Sequence, residues 1–223
     1  MDQAKAVDGE MTADDRIEQA RLLYERAVFG GDPDAVTAAE RELDAVEADL
    51  ALARGRVVHA RFLSDRREDP RELELFERAA ELYRRLGDVR GEAEALFWIG
   101  CFHQVVRDDH AAAVPALEES HQKAGKAGDP LTASYALRHL AFADQQAGRL
   151  DSARERMAES TRLRREIGFL PGVAANLLGL AHITAGQGHR DEARKLLDEA
   201  ASIAAAAEAH GILRLVRQAQ AEP

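Results

Sequence analysis

Cysteine is almost missing from this chain: Cys101 stands alone, so no disulfide can form within it. Lysine is nearly as scarce, with only Lys5, Lys123, Lys126 and Lys195. The remaining basic residues are arginine, a pattern of GC-rich coding and not of phosphate binding. Basic charge is in deficit overall. The formal net charge of −10 argues against nucleic acid, whose backbone demands a basic face, and against a generic anionic membrane surface. No apolar run approaches the roughly 20 residues that a membrane span needs. Asp2, Asp8 and Glu10 stand where a signal peptide would carry its apolar segment, and a cytoplasmic protein is expected. Strict apolar/polar alternation is missing and β-branched runs are few, so strands are not expected. So are the P-loop, G-x-G-x-x-G and G-x-S-x-G signatures of phosphate, dinucleotide and acyl chemistry.

The sequence holds alanine and leucine in quantity, which suits closely packed helices, and one stretch that recurs. Leu137, Leu140, Ala141, Gly148, Ala153, Met157 and Ser160 return 40 residues later as Leu177, Leu180, Ala181, Gly188, Ala193, Leu197 and Ala200. They appear 40 or 41 residues earlier as Leu96, Ile99, Gly100, Ala113, Leu117 and Ser120, with Asp108 in place of the glycine. Gly87, Gly128 and Gly168 repeat as helix stops. Self-similarity at this period predicts stacked helical pairs. Their first members are expected near Gly91–Val106, Pro130–Ala147 and Pro171–Gly186, and their second near Asp109–Ala127, Arg149–Ile167 and Arg190–Ala207. Pro115 predicts a late start or a kink in one of them.

Before the repeats, a helix is predicted from Asp14 to Phe29 with Ile17, Ala20, Leu23, Tyr24, Ala27 and Val28 on its buried face. Gly30-Gly31 ends it, and Asp32-Pro33 opens the next. Val36, Leu43, Leu50 and Val57 then fall seven apart, each followed three residues later by Ala39, Val46, Ala53 or Ala60. Such a heptad stripe predicts either a coiled-coil homodimer or a long helix covered by its own chain. Covered within a monomer is the expectation. Asp69-Pro70 with Glu72 opens another helix, ending at Gly87.

These units resemble tetratricopeptide repeats, whose pattern places W-x2-L-G-x2-Y in a first helix and A-x3-F in a second. The first part appears as Leu96, Ile99, Gly100, His103; as Leu137, Leu140, Ala141, Asp144; and as Leu177, Leu180, Ala181, Thr184. The second appears as Ala113 and Leu117, Ala153 and Met157, Ala193 and Leu197. Two features depart from the pattern. The period exceeds the usual 34 residues, and the terminal proline is missing. The longer form is similar to tetratricopeptide regions of bacterial regulators and sensors. The resemblance implies an all-α, right-handed α-solenoid of antiparallel helix pairs. Residues 1–12 are expected as a flexible tail and 13–223 as one helical-repeat domain. Within it, 13–87 form degenerate pairs, 91–207 clear repeats and 211–221 a capping helix.

The resemblance also implies that the first helices line a concave groove. Carried over position by position, the groove presents Glu94, Phe97, Trp98, Cys101 and Gln104, then Tyr135, Arg138, His139, Phe142 and Gln145, then Leu178, His182 and Ala185. Cys101, Phe142 and His182 are equivalent and are expected side by side. Aromatic and arginine side chains on one surface suit a binding hot spot; packing between helices is the alternative for Phe97, Trp98 and Phe142. The implied function is a regulatory or adaptor scaffold that holds a peptide or partner-protein segment. A small-molecule sensor needs a closed, mostly apolar pocket, and an auxiliary enzyme needs Glu94, His139 and His182 to converge. A carboxylate-clamp groove of lysines and asparagines is not expected, since Arg138 is the one basic groove residue. His103, His139, His182, Cys101 and Asp144 match no zinc spacing, so no metal, cofactor or catalytic residue is assigned. Arg162, Arg164 and Arg165, set among Glu155, Glu159 and Glu166, read as one solvated face.

Overall fold

The computed structural model describes residues 11–221, so residues 1–10 of the tail expected at 1–12 lie outside the described residues. Ten α-helices pack one after another: α1 (Ala13–Gly30), α2 (Asp34–Asp65), α3 (Arg71–Leu86), α4 (Val89–Cys101), α5 (His110–Ala127), α6 (Pro130–Gln146), α7 (Leu150–Glu166), α8 (Leu170–Gly186), α9 (Arg190–Ala206) and α10 (His210–Ala221). No strand occurs among the described residues, and none of their helices is long and apolar enough to cross a membrane. The closest packing joins α2 with α3, α4 with α5, α6 with α7 and α8 with α9, with α1 and α10 covering the two ends. The result is an all-α solenoid of helix pairs.

Local chemistry sets the boundaries. Thr12 Oγ1 accepts from the Asp15 amide while Asp15 accepts from the Thr12 amide, closing a capping box on α1. Asp88, Asp109 and Asp129 cap α4, α5 and α6 in the same sense. Gly148 and Gly188 turn the chain inside two pairs at φ +74° and +87°, where glycine pays no Cβ penalty. Asp108 makes the equivalent turn at φ +54°, a conformation that costs a non-glycine residue about 1–2 kcal/mol.

Helices approach closely where the repeat keeps small residues. Ala113, Ala153 and Ala200 are fully buried, and a Cβ on Gly100 would stand 2.5 Å from Leu117 Cγ. Substitution at such contacts overpacks the core.

Four expectations need correction. Ile17, Tyr24 and Val28 are exposed, and α1 buries only Ala20 and Leu23. Among the described residues the main neighbour of α1 is α2, and one main neighbour covers a stripe too narrow for all six apolar residues. The heptad residues Val36, Leu43, Leu50 and Val57 are likewise exposed, because α2 turns Ala48, Ala51, Leu52, Gly55, Val58, His59 and Phe62 into the array instead. Of the late start or kink expected at Pro115, the late start does not occur: α5 begins at His110, capped by Asp109, and carries the proline inside its second turn. Arg164, placed on a solvated face by its neighbours, is 2% exposed. Its spacing from Ala153, Met157 and Ser160 keeps it on the buried face of α7.

Candidate partner-binding groove

The first members of the pairs present one side chain every three or four residues to a common face. The candidate residues on that face separate into three environments.

Glu94, Trp98 and Cys101 belong to the packing layer between α2, α3 and α4. Glu94 is ion-paired with Arg56 of α2. Trp98 stacks on Phe76 at 5.5 Å and meets the His59 ring edge-on at 5.3 Å. Cys101 is 3% exposed and lies 3.9 Å from His59 Nε2. The other ring nitrogen, Nδ1, is 2.8 Å from Glu72 Oε1. A buried carboxylate needs a donor, so Nδ1–H donates to Glu72 and Nε2 accepts from the thiol. Burial, aided by the Glu72 charge, pushes the Cys101 thiol up to about 12. A protonated, enclosed thiol is neither a nucleophile nor a surface for a partner. Cys101 therefore does not line the groove beside Phe142.

Tyr135 and His139 form the floor. The Tyr135 ring lies 5.3 Å from Phe97 and 6.1 Å from Phe169, with the Arg164 guanidinium 4.7 Å above it. His139 Nδ1 is 2.6 Å from Gln104 Oε1, and its ring sits edge-on to Phe97 and Phe142. Desolvation, then the charges of Arg138 and Arg164, hold His139 down at about 3. The imidazole is neutral at physiological pH.

Arg138, Phe142, Leu178 and His182 share an open hollow of about 370 Å³, which Leu215, Gln218 and Ala219 of α10 also line. Arg138 Nη1 donates to Ala175 O and Asn176 Oδ1, both at 2.8 Å, and its guanidinium lies 4.7 Å over Phe142. Those contacts fix the group from one edge. Gln145 sits in an adjoining hollow with Phe142, Gln104 and His110.

Arg164 joins this region from α7, against the solvated face expected of its charged neighbours. Its Nη1 donates to Gly172 O at 2.9 Å and Asn176 Oδ1 at 2.8 Å, and its Nε to Ser134 Oγ at 3.2 Å. Arg164 Nη2 has no acceptor among the described residues. Among the described residues no carboxylate forms an ion pair with either arginine. Burial pulls Arg138 down to about 9, with the Arg164 charge as the second cause; burial likewise pulls Arg164 to about 10. Two desolvated cations side by side without a counter-charge form a local positive site in an acidic protein.

Other chemistry finds less support. Glu94, His139 and His182 each have separate surroundings and do not converge. No group of three His, Cys, Asp or Glu side chains among the described residues is placed to hold a metal. Asp144 is engaged by Arg149 at 2.5 Å, Ser152 at 2.6 Å and Arg156 at 3.2 Å, which makes it a structural anchor for the α6–α7 turn. A hollow of about 720 Å³ between α1, α2 and the α3–α4 turn includes Glu94, but Arg16, Arg41, Glu42, Asp49 and Arg90 also line it. It is not the closed apolar pocket a small-molecule sensor needs.

Residues 131–206, which span α6 to α9, match the tetratricopeptide repeat family profile. None of the curated proteins matches the chain. Among solved structures, the chain is similar to BtubC (BKLC) from P. vanneervenii, with 16% identity over 89% of this chain and 93% of that one, at a TM-score of 0.47. It is also similar to a Podosopora anserina kinesin light chain candidate with nearly identical TPR-like repeats. There the identity is 18% over 89% of this chain and 99% of that one, at a TM-score of 0.42.

Proposed function

We propose that this chain, whose residues 131–206 match the tetratricopeptide repeat family, is a cytoplasmic scaffold that binds an acidic peptide or partner-protein segment in its groove. Its role is regulatory or adaptor-like. The observation that carries this reading is Arg138: held at one edge by Ala175 O and Asn176 Oδ1, stacked on Phe142, and without a carboxylate partner among the described residues. A segment that places Asp or Glu against Arg138 supplies the missing charge, and charge-assisted bonds in a partly desolvated site are the strong ones. Leu178, Leu215 and the Phe142 ring offer apolar walls for a neighbouring aliphatic side chain. The combination of a rigid aromatic, an arginine and an apolar rim is the composition of a hot spot.

Selection of peptides from a displayed random library against the folded protein tests this. Enriched peptides are expected to carry an acidic residue beside an aliphatic one, and to photocrosslink to α6 or α8. Enrichment of basic or purely polar peptides, or crosslinks confined to α7 and α9, contradicts the assignment.

A further inference from the structure

The exposed face of α2 is organised in sevens. Val36, Leu43, Leu50 and Val57 are 52%, 48%, 46% and 54% exposed, while the opposite side of the helix is buried against the array. A free-standing helix turns once in 3.6 residues, so a stripe kept to a period of 3.5 stays in line only when the helix coils around another. The remaining apolar surface is concentrated nearby. Of the 16 large apolar side chains exposed on the described residues, 11 fall between Met11 and Leu63.

We propose that α2 is a dimerisation helix, and that two copies of this chain pack their α2 helices antiparallel about a two-fold axis level with residues 51 and 52. Side-chain volume favours this arrangement. An antiparallel seam sets each first-position residue of one heptad against a fourth-position residue of the other. Leu50 meets the partner's Ala53, Leu43 meets the partner's Ala60, and Val57 meets the partner's Val46. Each of these layers then mixes a larger and a smaller side chain or sets two valines together, while Val36 falls opposite the C-terminal end of the partner's α2 and outside the paired layers. A parallel seam would pair each of these positions with itself, setting alanine against alanine at Ala39, Ala53 and Ala60 and leaving voids at those three layers.

Charge selects the same arrangement. The flanking positions read Glu40, Glu47, Arg54 and Arg61 along the helix. In the antiparallel register Glu47 faces the partner's Arg54, and Glu40 faces the partner's Arg61, twice each by symmetry. A parallel register would set Glu47 beside the partner's Glu42 and Arg61 beside the partner's Arg56. Such flanking pairs decide orientation and partner choice. Ion pairs within the chain use Glu42, Asp44, Glu47 and Arg56 of α2, so Glu40, Arg54 and Arg61 are unengaged among the described residues. A hollow of about 510 Å³ opens beside Val57 between Arg54 and Arg61, where the partner's acidic half of α2 arrives. The contact is isologous and closes on itself, as a two-fold dimer requires.

Light scattering on the full chain over a concentration series gives the mass. A dimer is expected. Leu43→Glu and Leu50→Glu should each give a monomer with an unchanged helical circular-dichroism signal, since both side chains are half exposed. The double variants Glu40→Arg/Glu47→Arg and Arg54→Glu/Arg61→Glu should each be monomeric alone and form a heterodimer when mixed. Spin labels at Thr37→Cys should lie about 40 Å apart in the dimer, given a rise of about 1.5 Å per residue on either side of the axis. Three results would overturn the proposal: a monomeric wild type at every concentration, with the stripe bare or reserved for another protein; a dimer that survives Leu50→Glu; or labels about 10 Å apart, as parallel helices would place them.

Discussion

Arg138 and Arg164 share one acceptor: Nη1 of each donates to Asn176 Oδ1 at 2.8 Å. The first arginine comes from α6, the second from α7 and the amide from α8, so a single oxygen ties three consecutive helices across the boundary between two repeats. The amide nitrogen of Asn176 completes the link by donating to Ser160 Oγ at 2.8 Å.

Asn176→Ala leaves two desolvated guanidinium groups short of an acceptor. It is expected to lower the unfolding free energy by about 3 kcal/mol, since donors on charged groups are costly to strand. Asn176→Asp keeps an acceptor oxygen and should cost less. Urea denaturation of both variants measures the difference, and an equal loss in the two contradicts the shared-acceptor role.

The arginines at 162 and 164 should behave oppositely. Arg164→Ala removes a fully enclosed side chain stacked over Tyr135 and Phe169, at an expected cost of about 3 kcal/mol through the cavity and the lost bonds. Arg162 is exposed and paired along its own helix with Glu159 and Glu166, so Arg162→Ala should stay within about 0.5 kcal/mol of wild type. Thermal melts of the two single variants settle which arginine faces inward.

Ala153 and Ala193 occupy the same place in successive repeats and are 0% and 6% exposed. Enlarging either to leucine is expected to destabilise by about 1–3 kcal/mol through overpacking between paired helices. Ala153 sits in a cluster with Met157 and Ile183 and should be the more sensitive. Melting temperatures unchanged in both variants would show that the helices do not meet at these positions.

Acid should weaken the fold in part through His139. Its folded pKa is depressed to about 3 by burial and the neighbouring arginines, against about 6.5 for a solvated imidazole. The unfolded chain therefore binds a proton that the folded one refuses. That contribution is fully present above pH 6.5 and is lost as pH falls towards about 3, at a limiting slope of about 1.4 kcal/mol per pH unit. Replacing the ring with His139→Gln should remove this part of the acid dependence. Between pH 7 and pH 5 the wild type is expected to lose about 2 kcal/mol more than the variant. Parallel losses would mean that His139 is solvated in the folded state.

Much of the architecture is legible in the sequence because repeats report on themselves. A glycine recurring at a fixed interval marks a boundary, and paired small residues mark where helices touch. The structure places Gly87, Gly128, Gly148, Gly168 and Gly188 at positive φ, as that logic requires. Coverage is harder to read. Periodicity says that Val36 and Leu43, or Ile17 and Tyr24, share a face, but not whether a neighbour stands over it. At the end of an array there are fewer neighbours, and both stripes are bare. Arg164 is hard to place from sequence for a different reason. Its charged neighbours suggested solvent, whereas its register with Ala153, Met157 and Ser160 was the stronger signal. The triplet of His59, Glu72 and Cys101 spans three helices with no spacing motif, so nothing local announced it.

The groove assignment turns on what stands beside Arg138. Arg138 itself is an ambiguous probe, because it also bonds α8 at Ala175 O and Asn176 Oδ1, and its removal should disturb stability. His182 is exposed and lines the same hollow. The most direct measurement is therefore the dissociation constant of a selected acidic peptide for His182→Glu, set against Arg162→Glu on α7. An acid at 182 supplies the missing charge from within the chain and should weaken binding by roughly tenfold or more, about 1.4 kcal/mol, with an unchanged melting temperature. The Arg162 variant should bind as the wild type does. Equal affinity in His182→Glu, with binding lost in Arg162→Glu, would place the partner on the convex face and contradict a binding groove at Arg138.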